Sequence, residues 1–433
     1  MFKRFTLLVL GCVAGCGEVS SKQNDAAVDS PKPIDGAIDS PGGVPATAIG
    51  VHSLNQFTAA NATFAKVLYG AATYDDAGEW DASTSTFKAK VAGDYQVCAA
   101  IVTNANNFTQ TIELDLFKNN ASSRERGITY GIAAISGCTV ARLAANDTLD
   151  VRVYQGSGNN ITFASDANWD WLTIERVTSV VDVTNTAQKV LGNNAFVKIP
   201  YASEAYDTDS QFEPSTSTFT ATQAGDYLFC PSVSIGANGL QVETNTYVND
   251  VRTYATNGYG IDGGCGSLRL AVNDTVDGRA HQQTGSNVNA GADTAWDKFV
   301  VVRQPISVSS IARAPLVTTA GTPTKIPYNA ESFDTNGEFD ISTSTFTAKA
   351  AGDYLVCASV ITFSQGENEE INIYKNSVRD KALDFGHNGA LSGCTVERLA
   401  MNDQIQVYIT TISAKAGIGT DPVYDRFQVS KLR

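Results

Sequence analysis

Few residues in this chain have the types and the spacing that enzyme chemistry requires. Histidine occurs three times, at His52, His281 and His387, and the three positions follow no common pattern. The sequence contains no His-Glu-x-x-His pair for zinc, no Gly-x-Ser-x-Gly turn for a nucleophilic serine and no glycine-rich phosphate loop. A histidine-dependent hydrolase would have to use one of three isolated side chains. We therefore predict core or surface roles for the histidines, no catalytic residue and a protein that is not an enzyme.

Carboxylates are the other candidates, because a glycoside hydrolase places two of them across its substrate. Three aspartates follow an aromatic residue in the predicted last strand of each repeat: Asp170, Asp297 and Asp425. Three more end an Ala-Gly-Asp triplet: Asp94, Asp226 and Asp353. We predict that the first set holds a turn or a neighbouring Arg or Lys. The second set is predicted to accept hydrogen bonds from N–H groups of a local turn.

Aspartate-rich segments raise the question of calcium, which prefers oxygen ligands. Asp75-Asp76 and Asp207-Thr-Asp209 offer such ligands, but the pattern is also that of an ordinary Asp-rich turn. The sequence predicts no cofactor and no assigned metal site, with calcium as the one metal for which it offers ligands.

Cysteines are the most regular of the reactive residues. Of eight, two lie near the N-terminus and six form pairs 40, 35 and 37 residues apart: Cys98 with Cys138, Cys230 with Cys265, and Cys357 with Cys394. Six cysteines allow 15 pairings. Equivalent places in a threefold repeat favour these three disulfides. Metal binding is the alternative, but it lacks a Cys-x-x-Cys or His partner set.

The cysteine pairs belong to a threefold internal repeat. Lys-x-x-Tyr recurs with its lysine 32 residues before a cysteine, at Lys66, Lys198 and Lys325. The string DASTSTFKAKVAGDYQVC, at 81–98, returns in nearly the same form at 213–230 and at 340–357. We call residues 47–178, 179–304 and 305–433 repeats 1, 2 and 3. A period of about 130 residues is that of a whole domain, not of a solenoid unit.

Each repeat is predicted to be all-β. Segments such as Ile112–Phe117 and Leu149–Tyr154 alternate apolar and polar residues, which is the pattern of a half-buried strand. Asn-Asp, Gly-Asp and Asn-Gly pairs supply the turns, and Gly93, Gly225 and Gly352 are predicted to take a backbone conformation that side chains oppose. The fold class is therefore three tandem jelly-roll β-sandwiches.

The motifs resemble those of the C1q-like domain family, which shares a jelly roll with the tumour-necrosis-factor ligands. The resemblance rests on Tyr-Asp, Phe-Thr-Ala, Gly-Asp-Tyr-Leu, Tyr-Lys-Asn and Asn-Asp-x-Val in a common order, and it covers all three repeats. The usual Thr-Gly turn is replaced by Ser-Thr-Ser-Thr, and the Pro after Phe-Thr-Ala is missing. The resemblance implies assembly around a threefold axis, because the family typically forms trimers.

The N-terminus predicts export and a lipid anchor. Residues 1–15 have a basic start and an apolar run that is too short to span a bilayer, as in a signal peptide. Val13-Ala14-Gly15-Cys16 resembles a lipobox, so Cys16 is the predicted lipidation site; Cys12 is a poorer alternative. Residues 16–46, rich in Asp, Ser, Pro and Gly, are predicted to form a disordered linker.

Net charge excludes one class of partner. The formal charge is −14, and nucleic-acid binding needs a basic surface. We expect an extracytoplasmic, lipid-anchored envelope protein, at the outer membrane or cell surface, that contacts the membrane through its lipid. Its expected role is recognition or adhesion towards a glycan or a protein. The alternatives are a self-assembling structural protein and, less favoured, a carboxylate-based glycan-active enzyme.

Two further expectations concern assembly and specificity. Because almost no spacer joins the repeats, we expect one chain to form an intramolecular pseudo-trimer; the alternative is a homotrimer of chains. Binding residues are not assigned, but a binding module is expected to use loops that differ between repeats. One group of such loops follows the strands that contain Cys98, Cys230 and Cys357. Other candidate positions in variable loops are Tyr259, Asn159-Asn160 and Phe363.

Overall fold

The computed structural model describes residues 47–52, 55–103, 111–163, 165–235, 240–305, 307–312, 314–363, 368–386, 389–412 and 417–433. Every regular element in these ranges is a β-strand, so none of them contains a helix able to span a membrane. The all-β prediction is confirmed. Cys12, Cys16, the linker and His387 lie outside the described residues.

The strands follow one another in the same order in all three repeats. Repeat 1 contains β1 (Ala48–Val51), β2 (Phe57–Ala59), β3 (Phe64–Lys66), β4 (Ala72–Asp75), β5 (Trp80–Asp81), β6 (Thr86–Lys88), β7 (Gly93–Val102), β8 (Thr111–Lys118), β9 (Arg126–Ile132), β10 (Ala134–Leu143), β11 (Thr148–Gln155), β12 (Ile161–Phe163) and β13 (Trp171–Thr184). Repeat 2 continues with β14 (Lys189–Leu191), β15 (Val197–Lys198), β16 (Ser203–Asp207), β17 (Phe212–Glu213), β18 (Thr218–Thr220), β19 (Gly225–Ser234), β20 (Gln241–Val248), β21 (Val251–Tyr259), β22 (Ile261–Gly263), β23 (Gly266–Leu270), β24 (Thr275–His281), β25 (Val288–Ala290) and β26 (Lys298–Arg303). Repeat 3 contains β27 (Val308–Ala312), β28 (Leu316–Val317), β29 (Thr324–Lys325), β30 (Tyr328–Asp334), β31 (Phe339–Asp340), β32 (Thr345–Thr347), β33 (Gly352–Phe363), β34 (Glu369–Lys375), β35 (Val378–Gly386), β36 (Ala390–Leu399), β37 (Gln404–Thr411), β38 (Gly417–Ile418) and β39 (Arg426–Lys431).

Two antiparallel sheets face each other in each repeat. The inner sheets, which lie towards the other repeats, have the orders β10-β7-β13-β1-β4, β23-β19-β26-β13-β16 and β36-β33-β39-β27-β30. The outer sheets have the orders β9-β8-β11-β6-β5, β21-β20-β24-β18-β17 and β35-β34-β37-β32-β31. Sheet neighbours that are distant in sequence are the mark of a jelly roll, which is the predicted fold.

Strand β13 links repeat 1 to repeat 2 without a spacer. Its first half, at 171–177, pairs with β7 of repeat 1, and its second half, at 178–184, pairs with β26 of repeat 2. The predicted boundary after residue 178 therefore falls inside a strand that serves both sandwiches. The inner sheets of repeats 1 and 2 are consequently continuous.

The recurring Ser-Thr-Ser-Thr string is a tight turn stabilised by side chains. Its second serine has a positive φ in every repeat: 48° at Ser85, 49° at Ser217 and 47° at Ser344. In repeat 1 the turn is held by Asp81, whose carboxylate accepts hydrogen bonds from Ser83 and Thr84. The ring of Phe87 that follows is fully buried.

Two predictions about the Ala-Gly-Asp triplet were wrong. Gly93 and Gly352 do not need a positive φ; each is confined by close packing, since a Cβ would lie 2.8 Å from Arg176 Nε and 2.2 Å from the Arg433 carbonyl oxygen, respectively. Gly225 likewise has no positive φ. The aspartate that follows does not cap a local turn but pairs with an arginine on the neighbouring strand, as with Asp94 and Arg142.

Each sandwich has its own core, and a fourth core joins them. The three separate cores lie between the two sheets of each repeat. The fourth, which we call the central cluster, takes buried side chains from all three repeats: Cys98, Ala100, Ala134, Val140, Trp169, Trp171, Leu228, Cys230, Cys265, Val300, Val302, Leu355, Cys357, Ala382, Cys394 and Val396. The described residues, from 47 onward, accordingly belong to one compact unit.

Disulfides tie two inner-sheet strands together in each repeat. Cys98 is bonded to Cys138, Cys230 to Cys265 and Cys357 to Cys394, with Cα atoms 4.0, 4.2 and 4.1 Å apart. These are the pairs that the repeat predicted. Because disulfides persist in oxidising compartments, three of them indicate an extracytoplasmic protein.

Candidate functional site: the junction of the three repeats

Each repeat has an aromatic-Asp step near its end, namely Trp169-Asp170, Trp296-Asp297 or Tyr424-Asp425. The step has two functions, and the first is to hold a turn. Both carboxylate oxygens of each aspartate accept backbone amides: Asp297, for example, accepts from Ser234 and Asp293, and Asp425 from Ile361 and Asp421. Burial raises the pKa values of Asp170, Asp297 and Asp425 to about 7, about 6 and about 7, while the amide hydrogen bonds act in the opposite direction.

The second function of the step is contact with another repeat. The backbone carbonyl just before each aromatic residue accepts a hydrogen bond from an outer strand of a neighbouring repeat. Gly127 N donates to Ala295 O (3.0 Å), Ala255 N to Val423 O (3.2 Å) and Ala382 N to Asn168 O (2.8 Å). Repeat 2 thus docks on repeat 1, repeat 3 on repeat 2, and repeat 1 on repeat 3. The three contacts are equivalent and close into a ring.

The aromatic rings reach an Arg–Glu pair on the repeat that they contact. The pairs are Arg124 with Glu113, Arg252 with Glu243, and Arg379 with Glu370. Trp296 lies 5.7 Å from the Arg124 guanidinium, Tyr424 accepts a 2.6 Å hydrogen bond from Arg252, and Trp169 is hydrogen-bonded to Glu370. Each aromatic side chain therefore contacts an ion pair of the neighbouring repeat.

A second ring of contacts uses one arginine from each repeat. Arg142, Arg269 and Arg398 each pair with the Ala-Gly-Asp aspartate of their own repeat, namely Asp94, Asp226 and Asp353. Each guanidinium also stacks on an aromatic ring of another repeat: Tyr206 at 3.3 Å, Phe333 at 3.9 Å and Tyr74 at 3.8 Å. Stacking of this kind is favourable because the ring face is electron-rich.

Two of the calcium candidates, Asp75 and Asp76, bind other groups of the protein: Asp75 holds a turn of its own repeat, and Asp76 contacts repeat 3. The carboxylate of Asp75 accepts the backbone amides of Glu79 and Trp80 at 2.9 Å. Asp76 is bound by Arg398 and Arg433, and the hydrogen bond from Arg398 lowers its pKa to about 2. Among the described residues no group of three or more His, Cys, Asp or Glu side chains could hold a metal ion.

The three interfaces share a backbone plan but differ in side chains. After the aromatic-Asp step come Trp171, Lys298 and Arg426, which donate to Ala382 O, Gly127 O and Thr253 O, respectively. Lys298 is buried between repeats 1 and 2, and burial lowers its pKa to about 7. At the interface of repeats 2 and 3, Gln428 exchanges two hydrogen bonds with the backbone of Ser267.

Two small cavities lie where the three repeats meet. One, of about 100 Å³, is lined by Tyr130, Asn257 and Phe385, one from each repeat. The other, of about 120 Å³, is lined by Cys138, Cys265, Cys394 and Trp296, whose indole N–H has no hydrogen-bond partner. Cavities of this size hold a few water molecules, whereas small-molecule sites usually measure about 300–1,000 Å³.

The histidines that the structure describes are parts of packed contacts. His281 lies 2.7 Å from Glu243 through Nδ1 and stacks on Phe196 with ring centroids 4.3 Å apart. His52 is half-buried, and its pKa is lowered to about 4 by burial and then by the charge of Lys381. These contacts agree with the core and surface roles expected for histidine.

The candidate binding loops are only partly described. Residues 104–110, 236–239 and 364–367, which follow the cysteine strands, and the side chain of Tyr259 lie outside the described residues. Asn159 and Asn160 are exposed, and the Asn159 carbonyl accepts a hydrogen bond from Gln155. Phe363, at the end of β33, is 67% exposed, and Val317, on a strand that also pairs with β38, is 66% exposed.

Neither the ion pairs of the arginines nor their contacts with other repeats were predicted from the sequence, although the residues that form them recur in it. Arg142, Arg269 and Arg398 stand at equivalent positions, each directly before a leucine. The Glu and Arg of the three ion pairs also recur, 11, 9 and 9 residues apart. A charged residue that recurs in every repeat beside apolar neighbours predicts a buried partner. Here Arg142, Arg269 and Arg398 each have a carboxylate partner in their own repeat and an aromatic partner in another repeat.

Comparison with known proteins gives little beyond this geometry. No family model matches the chain, and no curated protein matches it. Among solved structures, murine APRIL at pH 8.5 is 12% identical with a TM-score of 0.25, covering 30% of this chain and 99% of APRIL. Eiger TNF from S. frugiperda is 16% identical with a TM-score of 0.24, covering 31% and 94%. The M60 catalytic domain with CBM51-1 and CBM51-2 from Clostridium perfringens ZmpB is 6% identical with a TM-score of 0.20, covering 78% and 55%. Values this low carry no argument about function, so the fold assignment rests on strand order.

Proposed function

We propose that this protein is a lipid-anchored, extracytoplasmic recognition protein without catalytic activity. In this proposal three jelly rolls that resemble C1q-like domains form a trimer-like head within one chain. The observation that carries it is the ring of three equivalent backbone hydrogen bonds, from Gly127, Ala255 and Ala382, which uses every repeat once as donor and once as acceptor. A repeat engaged in this way has no equivalent contact left for a second chain.

A single-chain head can recognise one asymmetric ligand, because its three tips need not be alike. Repeat 3 exposes Phe363 and Val317 on either side of β38. In repeat 1 the short ribbon of β2 and β12 instead buries its aromatic residues, with Phe57 stacked on Phe163 at 4.9 Å. We therefore place the recognition surface at the tip of repeat 3, with a glycan or protein as ligand and with no affinity for nucleic acid.

The recognition role is tested by comparing the purified chain with a Phe363→Ser, Val317→Ser double variant on a glycan array and on immobilised envelope extracts. We expect the double variant to lose at least about tenfold in affinity, because aromatic anchors dominate binding energies. Lys189→Ala, an exposed change on repeat 2, is the matched control. Equal binding by the double variant and the control would reject this surface.

The anchor belongs to the same proposal. We propose that Cys16 carries the lipid and that residues 17–46 hold the head away from the membrane. Fatty-acid labelling of the expressed protein should be lost in Cys16→Ser and retained in Cys12→Ser. Labelling that survives Cys16→Ser would reject Cys16 as the lipidation site. It would not affect the recognition role, which the binding experiment tests separately.

A further inference from the structure

Repeat 3 contains a buried lysine and glutamate in direct contact. Lys381 lies on β35 and Glu397 on β36, and their side chains are 1% and 3% exposed. Lys381 Nζ lies 2.9 Å from Glu397 Oε1. The two side chains are therefore in direct contact inside repeat 3.

One side of the pair is apolar. Lys381 Nζ lies 5.6 Å from the centre of the Trp171 ring, which comes from repeat 1, and donates to the backbone oxygen of Val396 at 2.7 Å. Ala382 and Val396, which flank the pair in sequence, belong to the central cluster. Two full charges are costly in such a place.

A second carboxyl group touches the same glutamate. Burial raises the pKa of Glu397 to about 7, Lys381 opposes this, and Asp380 adds to it through its charge and a side-chain hydrogen bond. Asp380 is partly exposed, so it connects the buried pair to the surface. An amine, an acid and a second acid that can move a proton are the groups that amide formation requires.

We propose that Lys381 and Glu397 condense spontaneously to an isopeptide bond. Nζ of Lys381 attacks Cδ of the Glu397 carboxyl group, the Nζ–Cδ bond forms, and one Cδ–Oε bond breaks. Asp380 takes a proton from the attacking nitrogen and delivers it to the departing hydroxyl, which leaves as water. Atoms and charge balance with no oxidant or co-reactant.

The bond would join the two sheets of repeat 3. Strand β35 belongs to the outer sheet and β36 to the inner sheet, where the Cys357–Cys394 disulfide already ties β36 to β33. The equivalent positions hold Arg126 and Ala141 in repeat 1 and Tyr254 and Leu268 in repeat 2, which cannot form an amide. The proposal is therefore one crosslink per chain, and repeats 1 and 2 are its internal controls.

Peptide mass spectrometry of the purified, reduced and alkylated full chain tests this directly. Trypsin cuts after Arg379 and Arg398, and an acylated Lys381 resists it. The crosslink gives a peptide of residues 380–398 that is lighter by one water molecule. Cleavage after Lys381, which yields residues 382–398, or an uncut peptide of full mass, would overturn the proposal.

Variants separate the chemistry from a structural role. Glu397→Gln should give the same linked peptide with the loss of one ammonia, relative to its own linear peptide, because the amide nitrogen then leaves instead of oxygen. Lys381→Arg, which copies repeat 1, should give no linked peptide. Asp380→Asn should lower the linked fraction at a fixed time after synthesis by tenfold or more. Full linkage in Asp380→Asn would remove the role of Asp380, and a normal water loss in Lys381→Arg would refute the site.

Discussion

At the scale of residues, the molecule is organised around arginines that each serve two repeats. Arg398 pairs with the buried Asp353 of its own repeat, and it binds Asp76 and stacks on Tyr74 of repeat 1. One side chain therefore holds both its own sandwich and the contact between the last repeat and the first. The stacking equivalents in the other repeats, Arg142 and Arg269, do the same for the remaining interfaces.

Replacing Arg398 by alanine should lower the free energy of unfolding by about 2–3 kcal/mol, because it leaves the buried Asp353 with Arg433 as its remaining arginine. Lys189→Ala, at an exposed position, should change it by less than about 0.5 kcal/mol. Denaturant unfolding followed by tryptophan fluorescence measures both. An Arg398→Ala protein as stable as the control would show that the ring contact contributes no stability.

The buried aspartates of the aromatic-Asp steps make stability depend on pH. The folded pKa values of Asp170 and Asp425 are about 7, above the ordinary 3.8, so the folded state binds these protons more readily than the unfolded state. Stability should therefore rise as pH falls from about 7 towards 3.8. Asp76, with a folded pKa of about 2, acts oppositely, and its contribution is lost as pH falls from 3.8 towards 2.

This pH dependence can be measured as the thermal midpoint between about pH 8 and pH 4. We expect a midpoint that rises on acidification and a smaller slope in the Asp170→Asn, Asp425→Asn double variant, which no longer titrates there. Asp115, Asp262 and Asp384 also have raised pKa values and should leave part of the slope in place. A slope of opposite sign in the unmodified protein would contradict the account.

At the scale of elements, small residues let the two sheets of each sandwich approach near the centre. A Cβ on Gly137, next to Cys138 on β10, would lie 2.6 Å from the backbone oxygen of Ile128 on β9. Gly393 meets the backbone oxygen of Leu383 at 2.5 Å in the same way. Because backbone cannot move aside as a flexible side chain can, these positions require glycine.

Gly137→Ala should therefore destabilise the protein by about 1–3 kcal/mol, the usual range for overpacking. The matched control is Gly156→Ala, because a Cβ on Gly156 meets nothing within 4 Å. That change should be neutral or slightly stabilising, since alanine restricts the unfolded chain. Urea unfolding at one temperature compares the two, and equal effects would mean that the contact relaxes without cost.

Strand periodicity, turn residues and cysteine spacing predicted most of the strands, turns and disulfides from sequence, because these patterns are local or are repeated within the chain. Alternation placed Leu149–Tyr154 on a strand, and the recurrence of Cys98 and Cys138 predicted their disulfide. The partner of Asp94 was not predicted, because a turn and an ion pair use the same residue type, and the arginine lies 48 residues away.

At the scale of the whole molecule, the sequence indicated three similar domains but not which surfaces they share. The contact between Trp296 and Arg124 joins residues of different repeats; the arginine recurs in all three repeats, but the aromatic residue is Trp169, Trp296 or Tyr424. The side chains that follow the aromatic-Asp steps, Trp171, Lys298 and Arg426, also differ. This difference makes the three interfaces distinct, and distinct interfaces favour one arrangement of the repeats over exchange between chains.

The most direct test of the account is the native mass of residues 47–433, kept oxidised, by light scattering over a wide range of protein concentration. The account predicts the mass of one chain at every concentration, because the ring formed by repeats 1, 2 and 3 is complete within the chain. A stable mass of three chains, or dissociation from three to one on dilution, would contradict it and would mean that the repeats pair between chains.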